Sequence, residues 1–533
     1  MFENSETNPP TLEAPKPIVI DSPLQGDSSR FNDRPDTAAT TETGEDVRAT
    51  VAHSNVRDLS PVSPAPDEVA APRDRRALSL DALRGLLLVS MTFGFTIMSS
   101  KFPGWMYHRQ FPGGENFVDI PGLTWRDIAY AGFLFTMSAA LPLTLSRRME
   151  KGEKDVGIFL AILRRGFLLV VFALLVAHSN TFFTGYTQTA RGLAVVGFII
   201  MAMVYTRRRN DWNPALFRTI NLIGWTAAFL FLLLTPMLYG KGLDIKRIDD
   251  IIVGLAFAAI VGSIVWYLTR DNINLRLGFL ALCMAGYLGA KGDGWVADWW
   301  WSDNFPVFHL GQLTLMAVVI PGTIAGDHLL RWMRSSREDQ SIMLYWSNAR
   351  ILGLGFVCAV MTPIAVIGLY NRWVPETTEI ILGMIVGGGV LVWNPKTESE
   401  KLIRRVFVWS ALWLMTGLIL DPFEGGIHKV PDTLSYFFTV TGLVGMLLVT
   451  FIAVVDLLQR RKWVNALIDV GHNPLLAYVL YTVLLNSLLE MIPAARGFMQ
   501  DSPELSLIRS ILSTVVVVLM VRWASRRRIF WRT

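Results

Sequence analysis

The sequence predicts an all-α fold: a polytopic transmembrane helix bundle of about 12–14 spans behind a disordered N-terminal tail. Three observations predict it. Of 533 residues, 52% are hydrophobic and only 17% are charged, against roughly 25% charged in soluble domains. The apolar residues fall in runs of roughly 17–25, the length a helix needs to cross a hydrocarbon core about 30 Å thick. Lys and Arg gather in every second connection between those runs, which is a pattern of membrane topology. With a mean hydropathy of +0.39, these features exclude an ordinary soluble enzyme. The net charge of +5 is split among short clusters, which points to topology and away from a nucleic-acid partner. Cys283 and Cys358 both lie within apolar runs, so neither a disulfide framework nor a thiolate metal site is expected.

Residues 1–75 are rich in Pro, Ser, Thr, Asp and Glu and lack a sustained apolar period. Such a segment buries too little surface to offset its ordering entropy, and it reads as a disordered cytoplasmic tail. It lacks the layout of a secretory signal, so the first apolar helix is expected to act as its own insertion signal. Residues 76–533 read as one multi-span membrane domain. Its runs cover 82–100, 127–146, 158–178, 190–206, 217–239, 250–268, 275–290, 309–330, 350–370, 378–393, 405–421, 434–456, 474–491 and 506–523. The short runs 275–290 and 378–393 are candidates for re-entrant segments or half-helices. The loops SRRMEKGEK, YTRRRND, LTRDNINLR, RWMRSSRED, NPKTESEKLIRR and LLQRRKW, with the tail RWASRRRIFWRT, carry the basic residues. Basic loops stay cytoplasmic, so the expected arrangement has both termini in the cytoplasm of an inner (plasma) membrane. Gly322 with Gly326 and Gly383 with Gly387 have the small-xxx-small spacing that allows close helix packing.

Ionisable residues near spans are costly in lipid and are the first place to look for chemistry. Asp81 and Arg84 sit three apart at a helix start, where they can pair. They read either as a structural cap and ion pair or, through Arg84, as an anchor for an anionic ligand. The first outer loop carries Trp105, Tyr107, His108, Glu115 and Asp119, followed by Asp127. A histidine beside carboxylates suits general-base or nucleophilic chemistry, although a solvated loop histidine fits the same pattern. In DPFEGGIHKVPDTLSYFF, Glu424, His428, Lys429, Asp432, Ser435 and Tyr436 crowd a loop that its glycines and prolines keep from continuous helix. This suits a substrate-binding loop or a connector. His472, Asn473, Tyr478 and Tyr481 enter the penultimate span, where Asn473-Pro474 also reads as a helix start. No His, Asp and Glu spacing suggests a metal site.

Several segments together resemble a known family. SLDALRGLLL, a His-bearing loop and GLTWRDIAYAGFLFTMSAALPLTLSRR resemble the opening of the heparan-α-glucosaminide N-acetyltransferase family and its bacterial relatives. TARGLAVVGF, TLMAVVIPGTIAGDHLL, GGIHKVPDTLSYFFTVTGL and GHNPLLAYV follow in the family's order, so that the resemblance covers roughly 76–491 in islands. It implies a transmembrane acyltransferase that moves an acetyl group from cytoplasmic acetyl-CoA to an amino sugar across the membrane. It implies His108 and Asp127 as catalytic. Lys429, Ser435, Tyr436 and Asn473 match family positions, and MTFGFTIM lacks the asparagine expected at the end of the first span.

The reading from sequence is an acyltransferase with acetyl-CoA as acyl donor and no metal. His108 and Asp127 are catalytic, and Glu424, Lys429, Ser435, Tyr436 and Asn473 bind the acceptor. Asp81 and Arg84 bind the donor. The partners are the lipid bilayer and a sugar or glycan acceptor, and homo-oligomerisation is compatible with this. The alternative is a carrier that moves a small anionic or sugar substrate without chemistry.

Overall fold

The computed structural model describes residues 77–97, 102–106, 121–185, 187–238, 247–302, 307–335, 344–492 and 502–533. The tail read at 1–75 lies outside them, as do Tyr107, His108, Glu115 and Asp119. Among the described residues the fold is an all-α helix bundle, with thirteen helices long and apolar enough to cross a membrane. In chain order the helices are α1 (Leu78–Thr96), α2 (Asp127–Glu150), α3 (Asp155–Ser179), α4 (Gln188–Tyr205) and α5 (Pro214–Leu238). Next come α6 (Asp250–Thr269), α7 (Ile273–Gly289), α8 (Met316–Arg334), α9 (Asn348–Tyr370) and α10 (Val374–Leu391). The last are α11 (Glu398–Leu420), α12 (Leu434–Phe451), the short α13 (Asn465–Gly471), α14 (Pro474–Met491) and α15 (Pro503–Arg526). The chain is a multi-pass membrane protein.

Both short runs fold as continuous helices. Helix α10 has 18 residues and α7 has 17, so α7 extends about 25 Å. Its two ends are tied to opposite ends of the bundle. Arg276 pairs with Asp327 at 2.6 Å among the basic loops, and Tyr287 and Lys291 reach Glu424 at the other end. The basic end is further joined by the Arg334–Glu150 ion pair and by the Tyr267 hydroxyl donating to Asp155 at 2.6 Å.

Burial sorts the helices into a core and a rim. In α12, 83% of the spanning window is buried, and in α2 and α8 78%, whereas in α10 the share is 17%. A helix that is apolar all round and exposed on most faces needs lipid as its solvent. That accounts for exposed Leu160, Phe167, Leu222, Phe229, Ile380 and Val386. The two glycine pairs separate along the same line. A side chain at Gly322 or Gly326 would run into the α2 backbone at Phe135 or Ala139, so these glycines let α8 and α2 touch. Gly383 and Gly387 face open space, so the close packing expected there is not made within this chain. Cys283 and Cys358 are buried free thiols. Two π-helical stretches, Ile452–Leu457 after α12 and Leu480–Leu485 within α14, widen the helices beside the polar clusters described below.

Candidate functional site

At the end of the bundle opposite the basic loops, three segments far apart in sequence bring ionisable side chains together. The first is the start of α2. Thr124-Trp125-Arg126-Asp127 folds as a capped turn, in which Asp127 Oδ2 accepts the Thr124 N–H at 3.0 Å and the Thr124 hydroxyl at 2.5 Å. An aspartate in the first helical turn also meets the positive end of the helix dipole. The other oxygen, Asp127 Oδ1, lies 3.7 Å from Lys429 Nζ. Asp127 is buried, so the ammonium offsets a carboxylate held away from water.

The second segment is the loop before α12. Lys429 and Asp432 face each other across an antiparallel bridge in a turn holding the cis Val430–Pro431 bond. Thr433 closes this loop onto the helix. Its hydroxyl donates to the His428 carbonyl and accepts the Tyr436 N–H, a side-chain N-cap. The Tyr436 hydroxyl donates to the Asp127 carbonyl at 2.7 Å, which docks α12 on α2. Ser435 turns the other way, its Oγ 2.9 Å from Thr433 Oγ1. Glu424 accepts from Tyr287 Oη (2.9 Å), Lys291 Nζ (2.8 Å) and the Ser435 N–H (2.6 Å). It therefore joins α7 to the start of α12.

The third segment is the start of α6 together with α14. Asp249 Oδ1 caps the Ile252 N–H at 3.0 Å, and Asp249 Oδ2 accepts from the Tyr478 hydroxyl at 2.8 Å. Arg126 lies over the Phe95 ring, 4.1 Å from its centroid. Its charge acts on Tyr478 and Tyr481, which links this segment to the first.

Burial governs the electrostatics. It pushes the Asp432 carboxyl up to about 7 against the pull of Lys429, with Asp127 and Asp250 adding to the rise. It pushes Asp249 up to about 6, lowers Arg126 to about 10 and lowers Lys429 despite Asp127 beside it. Arg126, Lys429 and Asp432 nonetheless keep part of their surface accessible. Among the described residues the cluster brings together the carboxylates of Asp127, Asp249, Asp250, Glu424 and Asp432, the cations Arg126, Lys291 and Lys429, and the hydroxyls of Tyr130, Tyr287, Tyr436 and Tyr478. It can therefore take protons, donate hydrogen bonds and bind a polar group out of bulk water.

The basic end carries a separate polar cluster. Arg84 pairs with Asp81 at 3.2 Å and donates to the Thr136 carbonyl at 3.1 Å. His472 Nε2 is 3.2 Å from Asp81 Oδ2. Asn473 grips the C-terminal chain: its Nδ2 donates to the Ile529 carbonyl at 2.8 Å, and its Oδ1 accepts the Trp531 N–H at 3.0 Å. A cavity of about 810 Å³ lined by Trp346, Asn348, Leu457 and Arg460 lies at this end too.

The structure thus unites Asp127, Lys429 and Tyr436, sets Glu424 and Ser435 behind them, and puts Asp81, Arg84 and Asn473 elsewhere. His108 lies outside the described residues. Arg126 and Asp249 join the site without having been singled out from the sequence. The adjacent pair Asp249-Asp250 at the start of a span was the available signal.

Residues 76–329, somewhat less than half of the chain, match a family model described as a domain of unknown function (DUF5009). No curated protein matches the chain.

Proposed function

We propose that the protein is an integral membrane acyltransferase of the inner (plasma) membrane, with both termini cytoplasmic. It transfers an acetyl or other acyl group from cytoplasmic acyl-CoA to an amino sugar or sugar on the outer side. The observation that supports this most is the assembly of Asp127, Lys429 and Tyr436 from distant segments, at the end of the bundle away from the basic loops. A buried carboxylate–ammonium pair is costly to keep, and here it sits beside the partly accessible Asp432.

Acyl transfer to an amine or hydroxyl requires a base at the acceptor and donors at the developing oxyanion. By family resemblance His108 is the base and Asp127 its orienting partner. The Lys429 ammonium is the oxyanion donor. Arg84, held by Asp81, is the cation that holds a donor phosphate, a geometry guanidinium groups favour. The donor itself supplies the thioester carbon that is attacked. Arg84 touches α2 at Thr136, nine residues from Asp127, or about 14 Å along the helix. That separation is about half the hydrocarbon thickness, so the two clusters approach each other inside the bundle.

The test is incubation of purified protein with radiolabelled acetyl-CoA and a panel of amino sugars. Stable label on the sugar supports the enzyme. Sugar counterflow into liposomes without label transfer supports the carrier instead.

A further inference from the structure

The carboxylates at this end of the bundle differ in how far they are committed. Asp127 takes two hydrogen bonds from Thr124 and faces Lys429. Asp249 takes Ile252 N–H and Tyr478 Oη. Glu424 is occupied by Tyr287, Lys291 and the start of α12. Asp421 takes both Arg372 nitrogens and the Ile427 N–H. Among the described residues the Asp432 carboxylate makes no hydrogen bond and no ion pair, while its backbone is fixed by the bridge to Lys429 and by Tyr287 donating to its carbonyl. It is half-buried, with part of its surface accessible. The charged and titratable groups acting around it are Lys429, Asp127 and Asp250, with Tyr130, Tyr287 and Tyr436. A carboxylate held in place by its backbone and left without a side-chain partner is set up to meet a group brought by a ligand.

We infer that Asp432 is a catalytic residue that takes the first proton from an ammonium acceptor, turning R–NH3⁺ into the nucleophilic R–NH2. This rests on the acyltransferase reading and assigns a proton that the base at the attack step does not remove. An amine entering as ammonium must lose two protons in becoming an amide. The first passes to the Asp432 carboxylate as the neutral amine forms. The nitrogen lone pair then attacks the thioester carbon, the C–S bond breaks, and the thiolate leaves. The second proton passes through the attack-step base to the thiolate, giving the free thiol. Asp432 returns its proton to water. The raised proton affinity of Asp432 near neutral pH suits a group that accepts and releases a proton in each turnover.

The test compares wild type, Asp432→Asn and Asp432→Glu in nanodiscs, with labelled acetyl-CoA and glucosamine, from pH 6 to pH 9.5. Expected for Asp432→Asn is a loss of about 10²-fold near pH 6.5 that narrows to within a few-fold at pH 9.5, where the acceptor arrives as free amine. Asp432→Glu should retain most of the activity at every pH. Wild-type rates for Asp432→Asn at pH 6.5 overturn the inference while leaving the acyltransferase reading intact. An equal loss at all pH values, in a variant that stays monodisperse, overturns it as well, because that is the mark of a positional role. A wild type that transfers no label overturns both.

Discussion

The two polar ends of the bundle are built on opposite principles. At the basic end, Asp81 and Asn473 are spent on the protein itself, while Arg84 is held by Asp81 with part of its side chain still accessible. Asp81 serves both Arg84 and His472, Arg84 ties α1 to α2, and Asn473 uses both ends of its amide to hold the C-terminal chain. At the opposite end a similar investment fixes the frame, through Glu424, Asp421 and Thr433, but leaves the Asp432 carboxylate partly accessible. Satisfied polar groups specify a structure, whereas a held but uncommitted one is available to a ligand. Residue type alone does not distinguish the two, since acids and bases are present at both ends.

The sharpest way to test this contrast is to remove the cation of the buried pair. Lys429→Met leaves the Asp127 charge buried without its nearest ammonium, so a destabilisation of about 3 kcal/mol or more is expected, together with loss of transfer. Thermal unfolding in detergent reads the first. The double variant with Asp127→Asn should recover part of the lost stability, though not the activity. Equal melting temperatures for wild type and Lys429→Met would show that the 3.7 Å approach contributes nothing to the fold.

Asn473→Ala probes the other end. Two hydrogen bonds to a buried chain segment are lost, which is expected to cost about 1–3 kcal/mol. The C-terminal chain around Trp531 should exchange its amide hydrogens faster. The stability difference from wild type should be the same at pH 5 and pH 8. If Asn473 instead binds the acceptor directly, the variant would raise KM strongly with little change in exchange at the C-terminus.

A smaller, pH-dependent effect is expected from Asp432→Asn. The Asp432 carboxyl titrates higher in the folded protein than in the unfolded chain, so its protonated form favours folding, and that contribution is lost as pH rises toward about 7. The amide variant does not ionise. It should therefore melt above the wild type at pH 8, with the gap closing toward pH 4. A gap that widens on acidification would mean that Asp432 is stabilised as an anion, which would contradict the upward shift that burial imposes on it.

Much of the helical framework was legible, because the hydrocarbon thickness imposes run length directly on the sequence and basic loops mark alternate connections. The fourteen runs all fold as helices, including α7 and α10, which run length left open. The site was legible only in part. Asp127, Lys429 and Tyr436 lie near span ends and so could be noticed. Whether Glu424 faces a ligand or caps α12 depends on Tyr287 and Lys291, more than 130 residues away. Asn473-Pro474 reads as a helix start, and what the Asn473 amide holds is the chain at Ile529 and Trp531. The glycine pairs carry the same lesson. Identical spacing gives a helix contact at Gly322 and Gly326 and an open face at Gly383 and Gly387, because the partner helix is set by tertiary arrangement. Gly326→Ala should accordingly cost about 1–3 kcal/mol, and Gly387→Ala should stay within about 0.5 kcal/mol of wild type.

Under the proposed transfer the two ends cooperate across the membrane, which sealed proteoliposomes with one uniform orientation can test. Labelled acetyl-CoA is supplied only on the side of the basic loops, and the amino sugar only on the side of Lys429 and Asp432. The account predicts labelled sugar on the acceptor side with no acetyl-CoA crossing the bilayer. Label that appears only when both substrates share one side, or sugar that crosses unlabelled, would contradict it.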